Sequence, residues 1–133
     1  MNIVVVDSGR LAGEPDFPEV DYPKFGWLQF VELDPAGLIE ACWRADIVVS
    51  VSTAIDKAVL DEAFKLRLIV VAGEEAGHID FKTAGSRGIV VCNVPGLNPG
   101  DPAQSQQICN QVIANIDAFL RGDVLNRVVP NEV

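Results

Sequence analysis

The single histidine of this 133-residue chain, His78, closes the stretch Gly73-Glu74-Glu75-Ala76-Gly77-His78. An imidazole can take or give a proton near neutral pH, so His78 is a candidate general base. It needs an orienting acid or a second base, and the sequence identifies neither. A lone histidine at a helix start is more often a surface or capping residue. Glu74 and Glu75 are adjacent carboxylates. An acid–base couple needs both groups turned toward one bond, whereas neighbours in a loop point apart, so they are not expected to act as a pair. Three further polar stretches join this one: Asp7-Ser8-Gly9-Arg10, Ser50-Val51-Ser52-Thr53 and Asn93-Val94-Pro95-Gly96. Each follows an apolar run. Together they supply hydroxyls, amides, carboxylates and one guanidinium that can converge on a small molecule, although turns also favour these residue types.

The elements that must position these groups follow from the apolar patterning. Strands are expected at Ile3 to Val6, Trp27 to Leu33, Ile47 to Val51, Leu68 to Ala72 and Ile89 to Cys92. The third is a continuous apolar run, as in a strand covered on both faces. Residues Leu11 to Phe25 carry Gly13, Pro15, Pro18 and Pro23 and read as an irregular loop. Asp34-Pro35 starts a helix whose apolar face is Leu38, Ile39, Ala41, Cys42 and Ala45. Ile55, Val59, Leu60, Ala63 and Phe64 recur at helical spacing. Ile79 to Arg87 makes a short helix that Gly88 ends. The longest helix is expected to begin at Asp101-Pro102, with Gln104 as a capping-box partner, and to stop at Gly122. Its stripe is Ile108, Val112, Ile113, Ile116, Phe119 and Leu120. Asn126-Arg127-Val128-Val129 then reads as a short strand or an extended tail. This alternation predicts an α/β fold: a flavodoxin-like, doubly wound, five-stranded parallel sheet of order 2-1-3-4-5, with the C-terminal helix packed back on it. Ligands of such sheets bind at the carboxyl ends of the strands, where the four polar stretches lie.

Composition narrows the function. The formal charge of -9 disfavours nucleic acid and anionic membrane surfaces as partners. No apolar run approaches the roughly 18 residues of a membrane span, and the N-terminus opens as a strand, so a cytoplasmic location is expected. Hydrophobic residues make up 49 %, with a mean hydropathy of +0.24, which suits a folded domain. Cys42, Cys92 and Cys109 are odd in number and lack metal-ligand spacing, so they read as buried free thiols, with no metal site. No G-x-G-x-x-G, G-x-x-x-x-G-K-[ST] or G-x-S-x-G motif is present. Ser8-Gly9 after the first strand can hold a phosphate, as in flavin mononucleotide proteins, which keeps a flavodoxin-like small-ligand module as an alternative. Ser50 stands where a phosphorelay receiver needs its acceptor aspartate.

The ordered series ADIVVS, GHID, RGIVVCNVPG and NIDAFLRG…NRVV resembles the substrate, or catalytic, domain of the D-isomer-specific 2-hydroxyacid dehydrogenases, with the nearest look to glycerate or hydroxypyruvate dehydrogenases. The resemblance covers nearly the whole chain, as one domain over residues 1–133. In that family a complete nucleotide-binding domain, bearing the Rossmann glycines and the catalytic arginine, glutamate and histidine, is inserted after the NVPG segment. Here Leu97 to Pro102, LNPGDP, stands in its place. The expected arrangement is therefore an N-terminal part over 1–96, a bypass loop over 97–102, and a returning helix and tail over 103–133. The two ends of an inserted domain emerge close together, so a short loop can rejoin them.

The resemblance implies NAD or NADP as the family's cofactor, none for this chain itself, and a small 2-hydroxy or 2-keto acid as ligand. Gly73 matches the first glycine of the family's G-x-G loop, whose amides approach the substrate carboxylate. Glu75 stands where the second glycine is expected, and a carboxylate there repels an anionic substrate. Ser50, Ser52, Glu74, Asn93 and Pro95 match or adjoin loop positions facing the cleft. No residue matches the catalytic positions, and His78 is not the family's catalytic histidine. The expected function is a substrate-binding domain without dehydrogenase activity of its own. The alternative is a component of an active oxidoreductase working with a separate nucleotide-binding partner. A face normally covered by the missing domain also predicts a homodimer.

Overall fold

The computed structural model describes residues 1–130. Five parallel strands form one sheet in the order β2-β1-β3-β4-β5: β1 is Asn2–Val5, β2 Gly26–Gln29, β3 Ile47–Ser50, β4 Leu68–Val71 and β5 Val90–Cys92. The expected topology is the observed one. In the central strands successive side chains point to opposite faces, and both faces are buried. Val4, Val48 and Ile69 enter one core, which α1 (Pro35–Cys42), α2 (Lys57–Glu62) and α3 (Phe81–Ser86) cover through Leu38, Leu60 and Ala84. Ile3, Ile47, Val49, Leu68 and Val70 enter the other. That second face is covered by α4 (Ser105–Leu120), through Ile108, Val112 and Ile116, and by Leu11 and Val20 of the irregular loop.

Local chemistry starts the three shorter helices in one way. The side chains of Asp34, Asp56 and Asp80 accept from the backbone N–H of Gly37, Val59 and Thr83, respectively. Two expected helices are therefore shorter than their apolar spacing suggests. Ile55 and Ile79 pair with each other as an isolated parallel bridge ahead of the two caps. Phe64 lies beyond α2 and is exposed. The guanidinium of Arg87 donates to the carbonyls of Leu60 and Ala63, which satisfies the C-terminal end of α2.

The expected start of the long helix is corrected. Asp101 and Pro102 do not open α4. Asp101 accepts from the Ala103 N–H and the Gln104 amide, closing a separate turn, and α4 begins at Ser105 with no side-chain cap. The cap chemistry is present, but it is used one turn early to fold the connecting loop. The strand expected over Trp27 to Leu33 is likewise shorter, at Gly26–Gln29, because Phe30 and Val31 turn to accept from Ser8 and Gly9.

The C-terminal segment covers the free edge of β5. Arg127 pairs antiparallel with Cys92, and Val128 donates to the Val91 carbonyl at 2.8 Å. The last three positions of the returning tail, 131–133, lie outside the described residues. A fully buried Asn115 ties the pieces together: its amide donates to the Asn93 carbonyl at 2.9 Å, and its Oδ1 accepts from Gln111 and Asn126. Cys42, Cys92 and Cys109 are free and buried. Burial pushes the thiols of Cys42 and Cys109 up to about 12 and that of Cys92 to about 11, so all three are poor nucleophiles in the folded chain.

Candidate functional site

At the carboxyl ends of β3, β4 and β5 lies an open cavity of about 520 Å³. Val51 and Ser52 line it from the loop after β3. Gly73, Glu74, Glu75 and His78 come from the loop after β4, and Gly96, Leu97, Asn98, Pro99 and Gln104 from the link to α4. The cavity thus lies at the strand ends, where the topology places it. Of the residues picked out by sequence, Ser52, Gly73, Glu74, Glu75 and His78 share this cavity.

Three others lie elsewhere. Ser50 is fully buried, and its hydroxyl donates to the Thr53 carbonyl at 2.8 Å, so it holds the turn under the cavity. Asn93 supports the wall: its amide donates to the Glu74 carbonyl at 2.9 Å. Pro95 is exposed and does not line the cavity.

The residue that organises the site stands in the sequence only as one member of a polar stretch after the first strand. Asp7, at the end of β1, is fully buried. Its carboxylate accepts from the backbone N–H groups of Val51 (2.8 Å), Ser52 (3.0 Å) and Thr53 (2.9 Å), and from the Thr53 hydroxyl (2.7 Å). Successive N–H groups turned inward are a ready-made anion cradle. Here the chain's own carboxylate fills it. Its partners lie more than forty residues away in sequence, so no local pattern reveals them.

Arg10 is also committed. Its guanidinium donates to both oxygens of Glu32, at 3.2 and 2.9 Å, and to Ser52 Oγ at 3.1 Å. The phosphate reading of Ser8-Gly9 fails on the same ground. The Ser8 and Gly9 N–H groups donate to the Phe30 and Val31 carbonyls, at 2.9 and 3.0 Å. Gly9 is glycine because a Cβ there would stand 2.6 Å from Val31 Cγ1.

His78 lies under the cavity wall. Burial lowers its pKa below the ordinary value; Asp7 acts in the opposite direction, and Arg10 lowers it further. Its Nε2 is buried and has no hydrogen-bond partner among the described residues. No group of three or more metal-ligating side chains occurs among those residues.

The link from β5 to α4 closes over the site. The Pro99 carbonyl accepts from the Ala12 N–H at 2.8 Å, and the Val94 N–H donates to the Gly73 carbonyl at 2.9 Å. The Pro99 ring lies against Gly73, where a Cβ would approach it to 3.1 Å. The large exposed apolar side chains of the described residues, among them Leu28, Val31, Trp43 and Phe64, do not line this cavity. No helix among the described residues is long and apolar enough to cross a membrane.

A parallel sheet of this order, with a cavity at its strand ends, defines the class: a flavodoxin-like α/β domain. The chain belongs to the D-isomer specific 2-hydroxyacid dehydrogenase family, matching its catalytic domain over residues 7–130. It is 28% identical over 98 residues to a protein named as a 2-hydroxyacid dehydrogenase of Haemophilus influenzae, covering 74% of this chain and 31% of that one. It is 31% identical over 99 residues to the D-3-phosphoglycerate dehydrogenase of Mycobacterium leprae, covering 71% and 19%. The 3-phosphoglycerate dehydrogenase of Entamoeba histolytica, solved with NAD+ bound, superposes with a TM-score of 0.58 at 26% identity, over 72% of this chain and 33% of that one. The chain thus spans a third or less of the length of these relatives.

Proposed function

We propose that this chain is a small-molecule-binding lobe of the 2-hydroxyacid dehydrogenase family that does not transfer hydride by itself. The observation that carries the reading is the closed link between β5 and α4. In the family, as the sequence resemblance implies, the nucleotide-binding domain departs from this point. Here residues 97–102 run directly across, with Pro99 seated on Gly73 and bonded to Ala12. Hydride transfer needs the nicotinamide held beside the substrate carbon by protein groups that fix its orientation. The Gly73 loop would supply one wall of such a site, and no group among the described residues would supply the other.

The cavity is of ligand size and opens to solvent, which suits reversible capture of a small polar molecule. The test is turnover. Purified chain, given NADH or NADPH and hydroxypyruvate with no other protein present, is expected to show no oxidation of the nucleotide above the protein-free rate. Catalytic turnover that scales with the amount of chain would overturn the proposal. Turnover that emerges only on adding a separate nucleotide-binding protein would assign the lobe to a two-subunit enzyme.

A further inference from the structure

The two edges of the sheet are finished differently. At β5 the chain covers its own edge: the Val128 N–H donates to the Val91 carbonyl, and the Asn93 N–H donates to the Asn126 carbonyl. At β2 nothing among the described residues does the same. The Gly26 and Phe30 N–H groups donate to the Met1 and Val5 carbonyls of β1, at 2.8 and 2.9 Å. In a parallel pair alternate residues face the neighbouring strand, so Trp27 and Gln29 turn their backbone N–H and C=O groups outward. Those groups have no hydrogen-bond partner among the described residues.

Soluble proteins blunt such an edge with charge, proline or a covering segment. The run Phe25-Gly26-Trp27-Leu28-Gln29-Phe30-Val31 contains no charged residue and no proline. Leu28 is 55% exposed and Val31 70% exposed on the same edge. An open row of amides and carbonyls beside apolar side chains fits one kind of partner, another strand.

The edge is also complementary to itself. Trp27 and Gln29 flank Leu28 symmetrically. A second copy turned about a two-fold axis at Leu28 sets each Trp27 opposite a Gln29, where the outward groups exchange both backbone bonds. The same axis brings the two Leu28 side chains together. It also places Lys24 of each copy toward Glu32 of the other, since both are exposed, lie equally far from Leu28 in sequence and carry opposite charge. We propose that β2 pairs antiparallel with β2 of a second copy across Leu28, joining the two sheets into one. The strands of the two copies then run in opposite directions, so the cavities at their carboxyl ends lie at opposite ends of the dimer and remain open.

Sedimentation equilibrium of the full chain tests the pairing. The interface is small, so a reversible dimer is expected to build up between about 10 µM and 1 mM. Leu28→Lys places a charge on the axis, and Gln29→Pro removes an outward donor while sparing the bonds to β1. Each is expected to weaken association at least about tenfold, with native amide spectra confirming the fold. Leu28→Cys locates the axis. Residues opposed in this way have Cα atoms about 4.5 Å apart, within the span of a disulfide. With oxidised glutathione as oxidant it is expected to cross-link into a covalent dimer, since the native thiols are buried. Phe64→Cys, on the exposed apolar surface beside Trp43, is the control and is expected to stay monomeric under reducing-agent-free electrophoresis. A chain that stays monomeric to about 1 mM, an assembly larger than a dimer, or a dimer that persists in both Leu28→Lys and Gln29→Pro would overturn the proposal. Cross-linking through Phe64→Cys and not Leu28→Cys would do so as well.

Discussion

Asp7→Ala will destabilise the fold by about 3–5 kcal/mol, the largest loss expected from any single polar side chain here. The argument is one of unpaired donors. Asp7 is fully buried and receives four hydrogen bonds, three of them from consecutive backbone N–H groups. The nearest cation, Arg10, stands 3.9 Å away and partly in solvent, so the carboxylate is held mainly by these donors. Removing it strands them in a space that water does not freely enter. Domains of this size have about 5–15 kcal/mol in all, so the variant should lose a large part of its margin. Urea unfolding followed by circular dichroism measures it. Thr53→Val removes only the hydroxyl donor and should cost about 1 kcal/mol. Formate, which restores a carboxylate to the cradle, should raise the midpoint of Asp7→Ala and leave the parent chain unchanged. An Asp7→Ala variant within about 1 kcal/mol of the parent, the worth of one ordinary hydrogen bond, would show that the cradle is not what holds this strand end.

Val112→Asp is expected to do more and to prevent folding altogether. Val112 is fully buried at the middle of α4, among the residues that cover one whole face of the sheet. An ionised carboxylate there has no partner, and the cost of burying it exceeds the stability of a typical domain. The chain escapes only by releasing α4, which uncovers Ile3, Ile47, Leu68 and their neighbours. Gln107→Asp places the same charge on the exposed side of the same helix, in its first turn, and should change stability by no more than about 0.5 kcal/mol. Amide spectra separate the outcomes: collapsed dispersion for the first variant, native dispersion for the second. A well-dispersed native spectrum from Val112→Asp would mean that the chain does not depend on α4 to bury its own sheet.

How legible these features are in the sequence depends on the distance over which each is determined. Ile47 to Val51 and Leu68 to Ala72 read as strands because a continuous β-branched run has few alternatives. Asp34-Pro35 reads as a helix start because cap and helix are adjacent. The same reasoning misplaces the start of α4. Asp101-Pro102 has the right residue types, but they close a turn that seats Pro99 on Gly73, a contact no local pattern contains. The site shows the same divide. Gly73, Glu74, Glu75 and His78 are found because one strand end carries them all. Ser50 misleads because side-chain direction at a strand terminus is set by the turn that follows. Asp7 is missed because its partners belong to another loop.

Nucleotide binding by the folded chain bears most directly on the central claim, that this is a ligand lobe working without a nicotinamide site of its own. Trp27 and Trp43 provide the probe, since bound NADH quenches tryptophan emission and is itself sensitised by energy transfer. Titration of NADH into the chain, with native amide dispersion verified on the same sample, should give no saturable change beyond the absorption of free nucleotide. A saturable signal of one NADH per chain at submillimolar concentration would contradict the account.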